Sequence, residues 1–353
     1  MHKKYTLLIR DLFMEINNTY TRPATIKDVA KLANVSISTV SRVINNKGGV
    51  SVKLQTRIEK AINQLRFHTN GVARALRINA TKTIGFIVPS VENPTFGTLA
   101  KTIESVSSQY GFSTILCNTE GDVEKEVQYL HLLHRQQVDG IIFNAMGLYD
   151  ERFSNMLNLG IPIVVVGRKV PGFPTPNVTT NNRQGANDAV SYMISKNIRR
   201  IAFIFGQFES VTAIEDRFNG YRDALAENNI PFVNELVINT TPSFDSGAVA
   251  VQWLIDNQIS FNGIFASNDL IALSCIQQLE KSGLKIPSDV SVMGYDMIPF
   301  SQIWYPKLST VNSNITAMAG EAVRVIVDLI NKKEDIQPET ILQAELVLGG
   351  TTP

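Results

Sequence analysis

The chain has 353 residues, 44% of them hydrophobic and 18% charged, which is the composition of a folded protein with room for more than one domain. Its net charge is +1, but the charges are divided unevenly along the chain. The segment through Arg77 holds fourteen Lys and Arg and four Asp and Glu, whereas the remainder holds 19 Lys and Arg and 28 Asp and Glu. No stretch is long and apolar enough to span a membrane, and a basic segment before an acidic one is typical of a nucleic-acid-binding module joined to a second domain. An anionic membrane could also attract the basic segment, but that segment lacks the continuous basic amphipathic helix this requires.

Residues 1–23 contain a short apolar patch that Arg10 and Asp11 interrupt. The patch is too short for the apolar region of a signal peptide, so these residues are expected to be a mobile leader or an extended start of the chain. Cys117 and Cys275 lie in separate apolar stretches. Two distant thiols fit reduced core residues better than a disulfide framework, which predicts a cytoplasmic protein.

The stretch from Thr25 to Asn45 predicts two short helices joined by a tight turn. Thr25 and Asp28 have the spacing of a capping box, and Ser36 can cap the second helix. Both segments carry apolar residues at helical spacing: Ile26, Val29, Ala30 and Ala33, then Ile37, Val40, Val43 and Ile44. Short or forked polar side chains, which can approach base edges, share the opposite face of the second helix: Ser38, Thr39, Arg42 and Asn45.

Two capped amphipathic helices also occur in small domains that bind no DNA, so their spacing alone leaves DNA recognition open. A third helix is predicted to begin after Ser51, as its N-cap, and to end near Leu65, where its apolar face would close a three-helix core. Residues 70–76 could form one or two helical turns, which are too few to be stable in water without a partner. These residues are either a plain linker or a segment that folds on binding.

At these residues the chain closely resembles the amino-terminal helix-turn-helix of the LacI/GalR family of bacterial transcription regulators, and the match continues in ordered blocks over 50–51, 61–65, 70–77 and 82–89. The resemblance implies a DNA-binding headpiece over 24–69. It also implies a hinge helix or linker over 70–80 that folds on operator DNA, with Leu76 wedged into the minor groove. The family usually has Gly-Tyr before a Pro where this chain has Arg-Phe-His-Thr at 66–69, so the favoured helix-ending glycine is missing. The residues assigned to DNA are Thr25, Ser36, Ser38, Thr39, Arg42, Asn45, Asn70, Ala73, Leu76 and Arg77.

From Thr83 onward, apolar strands alternate with helical stretches, which predicts two doubly wound parallel sheets. Strands are predicted at 84–88, 113–117, 140–143, 163–166, 178–180, 201–205, 236–238, 263–266, 290–294 and 341–348. Helices are predicted near 96–109, 123–136, 150–159, 182–196, 212–228, 246–257, 269–282 and 315–331. The fold class is therefore α/β, and the resemblance implies a bilobed, periplasmic-binding-protein-like core after a small all-α headpiece. The core over 81–353 is predicted to have one lobe of 81–182 plus 298–315 and another of 183–297 plus 316–353.

Polar residues follow the predicted strands repeatedly, and ligands of open parallel sheets bind beyond the carboxyl ends of the strands. As a set, the following residues are predicted to line one cleft: Ser90, Asn93, Asn118, Asn144, Arg168, Gln207, Ser267, Asn268, Asp269, Tyr295 and Asp296. Of this set Asn93, Asn144, Arg168 and Asn268 are assigned to the effector, together with the aromatic Phe96. For Asn268 and Asn118, capping of the next helix is the favoured alternative role. The resemblance adds Arg217 and Asp296, which match an effector-contacting Arg and Asp of the family. The chain departs from the family at Pro94-Thr95-Phe96, where Pro-Phe-Phe is frequent, and at Asn181-Asn182, where Asp-Asn is frequent.

Amides, a carboxylate, an arginine and an aromatic ring suit a hydroxyl-rich small molecule, so a sugar or sugar phosphate is the expected effector, with a purine or another metabolite as alternatives. The sequence contains no phosphate-binding glycine loop, nucleophile elbow or metal-ligand spacing, so no enzyme activity, metal or cofactor is expected. A sugar-binding transport protein with the same bilobed body is the rival from another class, but it would need a signal peptide and no basic headpiece. We therefore predict a cytoplasmic repressor that binds palindromic operator DNA as a homodimer, without membrane association, under control of a small molecule.

Overall fold

The computed structural model describes residues 24–44, 48–67, 80–144, 160–170, 172, 174–206, 212–240 and 245–353. The chain divides into two compact units, residues 1–79 and residues 80–353, called the headpiece and the core below. In these described ranges no helix is both long and apolar enough to cross a membrane.

Three helices form the described part of the headpiece: α1 Ile26–Leu32, α2 Ile37–Ile44 and α3 Val52–Gln64. The predicted capping box is present, because Asp28 Oδ2 accepts from Thr25 N at 2.8 Å and Thr25 Oγ1 accepts from Asp28 N at 3.4 Å. The buried core contains residues from all three helices: Val29, Ala30, Val40, Ile58 and Ala61.

Two details of the headpiece differ from the prediction. Ile37 was placed on the buried stripe of α2 but is 46% exposed, because it lies in the first turn ahead of the packed residue Val40. Ser51 was expected to cap α3, and it does precede that helix, but its side chain makes no capping hydrogen bond. The extended backbone of Ser51 therefore starts α3 without help from its hydroxyl.

The first lobe of the core is built on a sheet in the order β11-β5-β4-β3-β1-β2, all pairs parallel. Its strands are β1 Thr83–Val88, β2 Ser113–Asn118, β3 Gly140–Phe143, β4 Ile163–Val166, β5 Asn177–Thr180 and β11 Glu339–Leu342. Its described helices are α4 Pro94–Gln109, α5 Val123–Arg135 and α11 Ile315–Ile330. The central strands β3 and β4 are buried along their whole length, because helices cover both faces of the sheet.

The second lobe has a parallel sheet in the order β7-β6-β8-β9. Its strands are β6 Ile201–Gly206, β7 Val237–Thr240, β8 Gly263–Ala266 and β9 Ser291–Met293. Its described helices are α6 Asn182–Ser195, α7 Thr212–Glu227, α8 Ser246–Asp256, α9 Asp269–Lys281 and the short α10 Pro299–Ile303. An antiparallel pair, β10 Thr310–Asn312 with β12 Glu345–Val347, completes the core.

The structure corrects the predicted assignment of the C-terminal segments to lobes. Helix α11 and strand β11 were given to the second lobe, but Met318, Val323 and Ile326 of α11 pack in the hydrophobic core of the first sheet and β11 pairs with β5. Residues 298–312 were given to the first lobe, but Leu308 and Val311 pack in the second. The predicted strand 341–348 is two strands, one in each lobe, because the chain crosses between the lobes near Gln343.

Three chain segments therefore connect the lobes, after β5, after β10 and after β11. They bond to one another: Thr180 Oγ1 donates to Ser313 O at 2.7 Å, and Asn314 Nδ2 donates to Gln343 O at 2.7 Å. Asn314 has φ +51°, a left-handed conformation that asparagine tolerates better than most residues. These crossings keep the carboxyl ends of both sheets facing a shared cleft.

Both cysteines are buried and free, as predicted. Burial raises the pKa of the Cys117 thiol to about 11 and raises that of Cys275 further. The thiols are therefore protonated packing groups at neutral pH.

Candidate functional site: a headpiece helix and an interlobe cleft

The predicted DNA-reading face of α2 is open to solvent in the headpiece. Ser38 and Arg42 are exposed and Thr39 is half-buried, while the opposite side of the helix buries Val40. The Ser36 hydroxyl lies 2.7 Å from both the Ser38 and the Thr39 hydroxyl, and its oxygen accepts from Thr39 N at 3.1 Å. Ser36 thus caps α2 as predicted and holds two neighbouring polar side chains at its first turn.

The sequence of α2 contains no acidic residue, so nothing in this helix repels phosphate. Thr25, another residue assigned to DNA, is half-buried at the start of α1, where it is engaged in the capping box. Several of the assigned residues lie outside the described ranges: Asn45, Asn70, Ala73, Leu76 and Arg77.

The core contains a cleft of about 910 Å³ at the carboxyl ends of both sheets. The seven residues assigned to an effector lie in its wall: Asn93, Phe96, Asn144, Arg168, Arg217, Asn268 and Asp296. Of the other residues predicted to line the cleft, Ser90, Asn118 and Ser267 also lie in the wall, Asp269 and Tyr295 are buried and do not line it, and Gln207 lies outside the described residues. Apolar side chains such as Leu270, Ile271 and Met318 share the wall. Such a mixture of apolar surface with a few fixed polar groups is typical of small-molecule sites.

Arg217 and Asp296 form a buried ion pair on the wall of the second lobe. Arg217 Nη2 lies 3.0 Å from Asp296 Oδ1, and the two side chains are 11% and 8% exposed. Arg217 also donates from Nε to Asn182 Oδ1 at 2.9 Å and from Nη1 to Ser267 O at 2.5 Å, and its guanidinium lies 3.7 Å from the centre of the Tyr295 ring. Since each nitrogen of the guanidinium has a partner, the arginine is fixed in one orientation.

The backbone also fixes Asp296. Its φ of +98° lies in the left-handed region, which is strained for an aspartate, and its N–H donates to Val311 O at 2.8 Å. Oδ1 accepts from Arg217 and lies 3.5 Å from Ser313 Oγ, while Oδ2 accepts from the hydroxyl of Thr95, in the first lobe, at 3.1 Å. One oxygen of the carboxylate is therefore held within its own lobe, and the other is directed across the cleft.

On the first lobe, Asn144 and Arg168 are buried at the ends of β3 and β4. Asn144 Nδ2 donates to Val166 O at 2.8 Å. Position 167, which packs against the Asn144 side chain, must be a glycine, because a Cβ there would lie 2.6 Å from Asn144 Nδ2 and φ at Gly167 is +84°. Burial lowers the pKa of Arg168 to about 10, and the carboxylate of the fully buried Glu126 acts in the opposite direction.

The structure separates residues that cap helices from those whose polar atoms remain available. Asn93 Oδ1 accepts from Thr95 N at 3.0 Å, and Asn268 Oδ1 accepts from Ile271 N at 2.9 Å, so both cap helices while also lining the cleft. The capping role predicted for Asn118 is wrong, because α5 begins later in the chain and Asp122 caps it. Among the described atoms, Asn118 Oδ1 and Ser267 Oγ are buried in the cleft wall without a hydrogen-bond partner.

The sequence analysis did not assign two residues of this wall that contact the ion pair, Thr95 and Asn182. Thr95 was noted only as a departure from a family pattern, and Asn182 likewise. Ser267 and Tyr295 were predicted from their strand-end positions, and the structure places Ser267 in the wall and the Tyr295 ring against Arg217. The bond between Thr95 and Asp296, and the bonds of Arg217 to Asn182 and Ser267, join residues that are far apart in the chain, so no local sequence pattern reveals them.

A helix-turn-helix headpiece in sequence with a two-lobed core that contains a polar cleft defines a class of protein, the ligand-responsive DNA-binding regulator. The profile of the lacI family of bacterial regulatory proteins matches residues 25–70, and that of a periplasmic binding protein-like domain matches residues 190–352. The HTH-type transcriptional regulator RegA of Clostridium saccharobutylicum is 35% identical over 322 residues, which are 91% of this chain and 97% of that protein. The chain therefore belongs to the LacI family, and it is a transcription regulator, not an enzyme.

Two solved structures are similar to this chain, one over nearly its whole length and the other over about three quarters of it. The Lac repressor dimer bound to operator and the anti-inducer ONPF has a TM-score of 0.86 and 26% identity, covering 94% of this chain and 99% of that one. A LacI family regulator from Enterococcus faecium with bound ribose has a TM-score of 0.69 and 30% identity, covering 76% of this chain and 98% of that one. The predicted fold class, an α/β two-lobed core after helix-turn-helix helices, is confirmed.

Proposed function

We propose that this regulator is a repressor that binds a palindromic operator as a homodimer, and that an uncharged, hydroxyl-rich small molecule in the interlobe cleft controls its affinity for DNA. The observation that carries the proposal is the convergence of the assigned effector residues from both lobes on one cleft. Support from similarity comes from the Lac repressor dimer on its operator and from the regulator with bound ribose. A protein of this kind acts in the cytoplasm, where the chromosome is.

The charges of the cleft favour a neutral sugar over a sugar phosphate. Each of the two arginines in the described wall has a carboxylate that balances it, Asp296 for Arg217 and Glu126 for Arg168. The described wall also contains two further acidic residues, Glu92 and Glu120. A phosphate ester would therefore bring negative charge to a surface with no excess positive charge, which is unfavourable in a partly dehydrated site.

The polar atoms that remain available in the wall suit hydroxyl groups. Asn118 Oδ1 and Ser267 Oγ can each accept a hydrogen bond from a ligand hydroxyl, and half-buried Phe96 offers an apolar face to a sugar ring. Satisfying buried polar atoms that lack partners favours binding, since leaving them unsatisfied costs about 1–3 kcal/mol each. The ligand class that follows is a neutral polyol or sugar.

Selection of DNA sites by the full chain and by Arg42→Ala tests the DNA-binding part of the proposal. We expect the wild type to select a palindrome. Arg42→Ala should lose preference at one base pair per half-site, at roughly 1–3 kcal/mol each, because forked arginine contacts with guanine carry specificity. Lys31→Ala is the matched control and should at most weaken binding to all sequences together. An unchanged base preference in Arg42→Ala would show that Arg42 does not contact a base.

Thermal-shift measurements with paired neutral sugars and their phosphate esters test the ligand part. We expect one or more neutral members to stabilise the full chain and to change its operator affinity, and their phosphates to do neither. In Asp296→Ala both effects should disappear, while selection of the same DNA site persists. Stabilisation by a phosphate ester but not by its parent sugar would contradict the proposed ligand class.

A further inference from the structure

We propose that Thr95 closes the cleft of the ligand-free protein by occupying Asp296, so that an effector must displace the threonine hydroxyl to reach that carboxylate. The proposal rests on the proposed function in one respect, because it takes the cleft as the effector site. Thr95 is then a positioning residue: it acts through Asp296 on the equilibrium between closed and open lobes.

The two partners of this bond are separately fixed, one in each lobe. Thr95 lies in the first turn of α4, where its N–H donates to the Asn93 side chain, and Leu99 anchors the next turn of the helix in the core of the first lobe. Asp296 is held by Arg217 and by its backbone bond to Val311 in the second lobe. Because both partners are rigid, this hydrogen bond can form only while the two lobes are close together, and it must break when they separate.

The bond uses an acceptor that a ligand needs. Asp296 Oδ1 is engaged by Arg217, so Oδ2 is the oxygen available to a ligand hydroxyl, and Thr95 Oγ1 donates to it at 3.1 Å. A hydroxyl of the threonine and a hydroxyl of a polyol are chemically equivalent donors to a carboxylate. Ligand binding can therefore replace the bond without leaving the carboxylate unsatisfied.

A second bridge on the rim of the cleft provides a reporter of closure. The hydroxyl of Thr212, at the start of α7 in the second lobe, accepts from the backbone N–H of Lys169, in the first lobe, at 3.2 Å and donates to Lys169 O at 2.9 Å. When the lobes separate, the Lys169 amide loses its acceptor. Exchange of this amide with solvent therefore measures opening, whereas the Asp296 amide, which bonds within its own lobe, serves as an internal reference.

The experiment is residue-resolved hydrogen exchange on the ligand-free full chain with three variants. Thr95→Val removes the hydroxyl with little change of shape, and Thr95→Ser retains it. Thr98→Val is the matched control, because the Thr98 hydroxyl bonds only to Pro94 O within the same helix, at 2.9 Å. We expect the Lys169 amide to exchange about tenfold faster in Thr95→Val, the factor that loss of a bond to a charged acceptor can produce. Thr95→Ser and Thr98→Val should match the wild type, and the Asp296 amide should be unchanged in all.

Equal exchange at Lys169 in the wild type and Thr95→Val would overturn the proposal. So would an equal increase in Thr98→Val, because the effect would then come from α4 and not from the bridge. Faster exchange at the Asp296 amide in Thr95→Val would also overturn it, since the second lobe itself would then be loosened. DNA-site selection with the same proteins tests the proposed function separately. Failure to select DNA would contradict that function, but the exchange rates at Lys169 would still test the role of Thr95.

Discussion

Asp269 is a fully buried carboxyl beside the cleft, and its surroundings favour the protonated form. Burial raises its pKa from 3.8 to about 7, and the negative charge of Asp296 adds to the rise. Hydrogen bonds to its carboxylate oxygens from Thr310 Oγ1 at 2.5 Å and from Ile298 N at 2.8 Å act in the opposite direction but do not cancel it. The group therefore titrates near neutral pH while holding the loop after β9 in place.

Stability should depend on pH through this residue. The pKa of Asp269 in the folded protein lies above its ordinary value of 3.8. Its contribution to the free energy of unfolding is therefore fully present below pH 3.8 and is lost as the pH rises through about 7. Asp269→Asn cannot ionise, so we expect the wild type to lose free energy of unfolding relative to the variant between pH 4 and pH 8, by on the order of a few kcal/mol. Urea unfolding followed by tryptophan fluorescence measures this, since both tryptophans, Trp253 and Trp304, lie in the core. A difference that stays constant with pH would contradict the assignment.

At the scale of elements, α6 and α7 approach so closely that one position between them must lack a side chain. A Cβ on Gly220 of α7 would lie 2.1 Å from the backbone oxygen of Arg183 in α6. That contact is backbone, which cannot move aside as a flexible side chain could. The close approach matters for the site because α6 carries Asn182 and α7 carries Arg217, which are bonded to each other at 2.9 Å.

Gly220→Ala should therefore destabilise the core by about 1–3 kcal/mol, the usual cost of overpacking, and displace Arg217 relative to Asn182. Gly97→Ala in α4 is the matched control, because a Cβ there would meet no atom within 4 Å. Replacing this helical glycine should stabilise by about 0.5–1 kcal/mol through helix propensity. Urea unfolding of the two variants provides the comparison, and equal effects of the same sign would refute the close-packing argument.

At the scale of the whole molecule, a short segment of the second lobe exposes large apolar side chains. Phe300 is 53% exposed, Ile303 is 80% exposed and Tyr305 is 94% exposed. Apolar residues scattered singly on a surface are ordinary, but several within six residues are typical of an interaction surface. In the proposed homodimer this segment is a candidate part of the contact between copies.

The double variant Ile303→Ser, Tyr305→Ser should shift the protein towards monomer and lower its operator affinity, because two linked headpieces bind a palindrome with a higher effective concentration than one. Sedimentation velocity across a concentration series measures the first effect, and operator titration the second. Val52→Ser is the control, since this headpiece side chain is equally apolar and 81% exposed. If the double variant remains as dimeric as the control, the segment lies outside the interface.

The sequence by itself determined most of the order of elements, the capping box of α1, the exposed polar face of α2 and most of the strand-end residues that line the cleft. These features depend on local periodicity, on capping chemistry and on the rule that ligands bind at the carboxyl ends of parallel strands. Only the tertiary structure decided that α11 and β11 belong to the first lobe, because periodicity cannot tell which of two similar apolar sheets a segment will cover. The same holds for Thr95 and Asp296, which are 201 positions apart in the chain and meet only because three crossing segments bring the two lobes together.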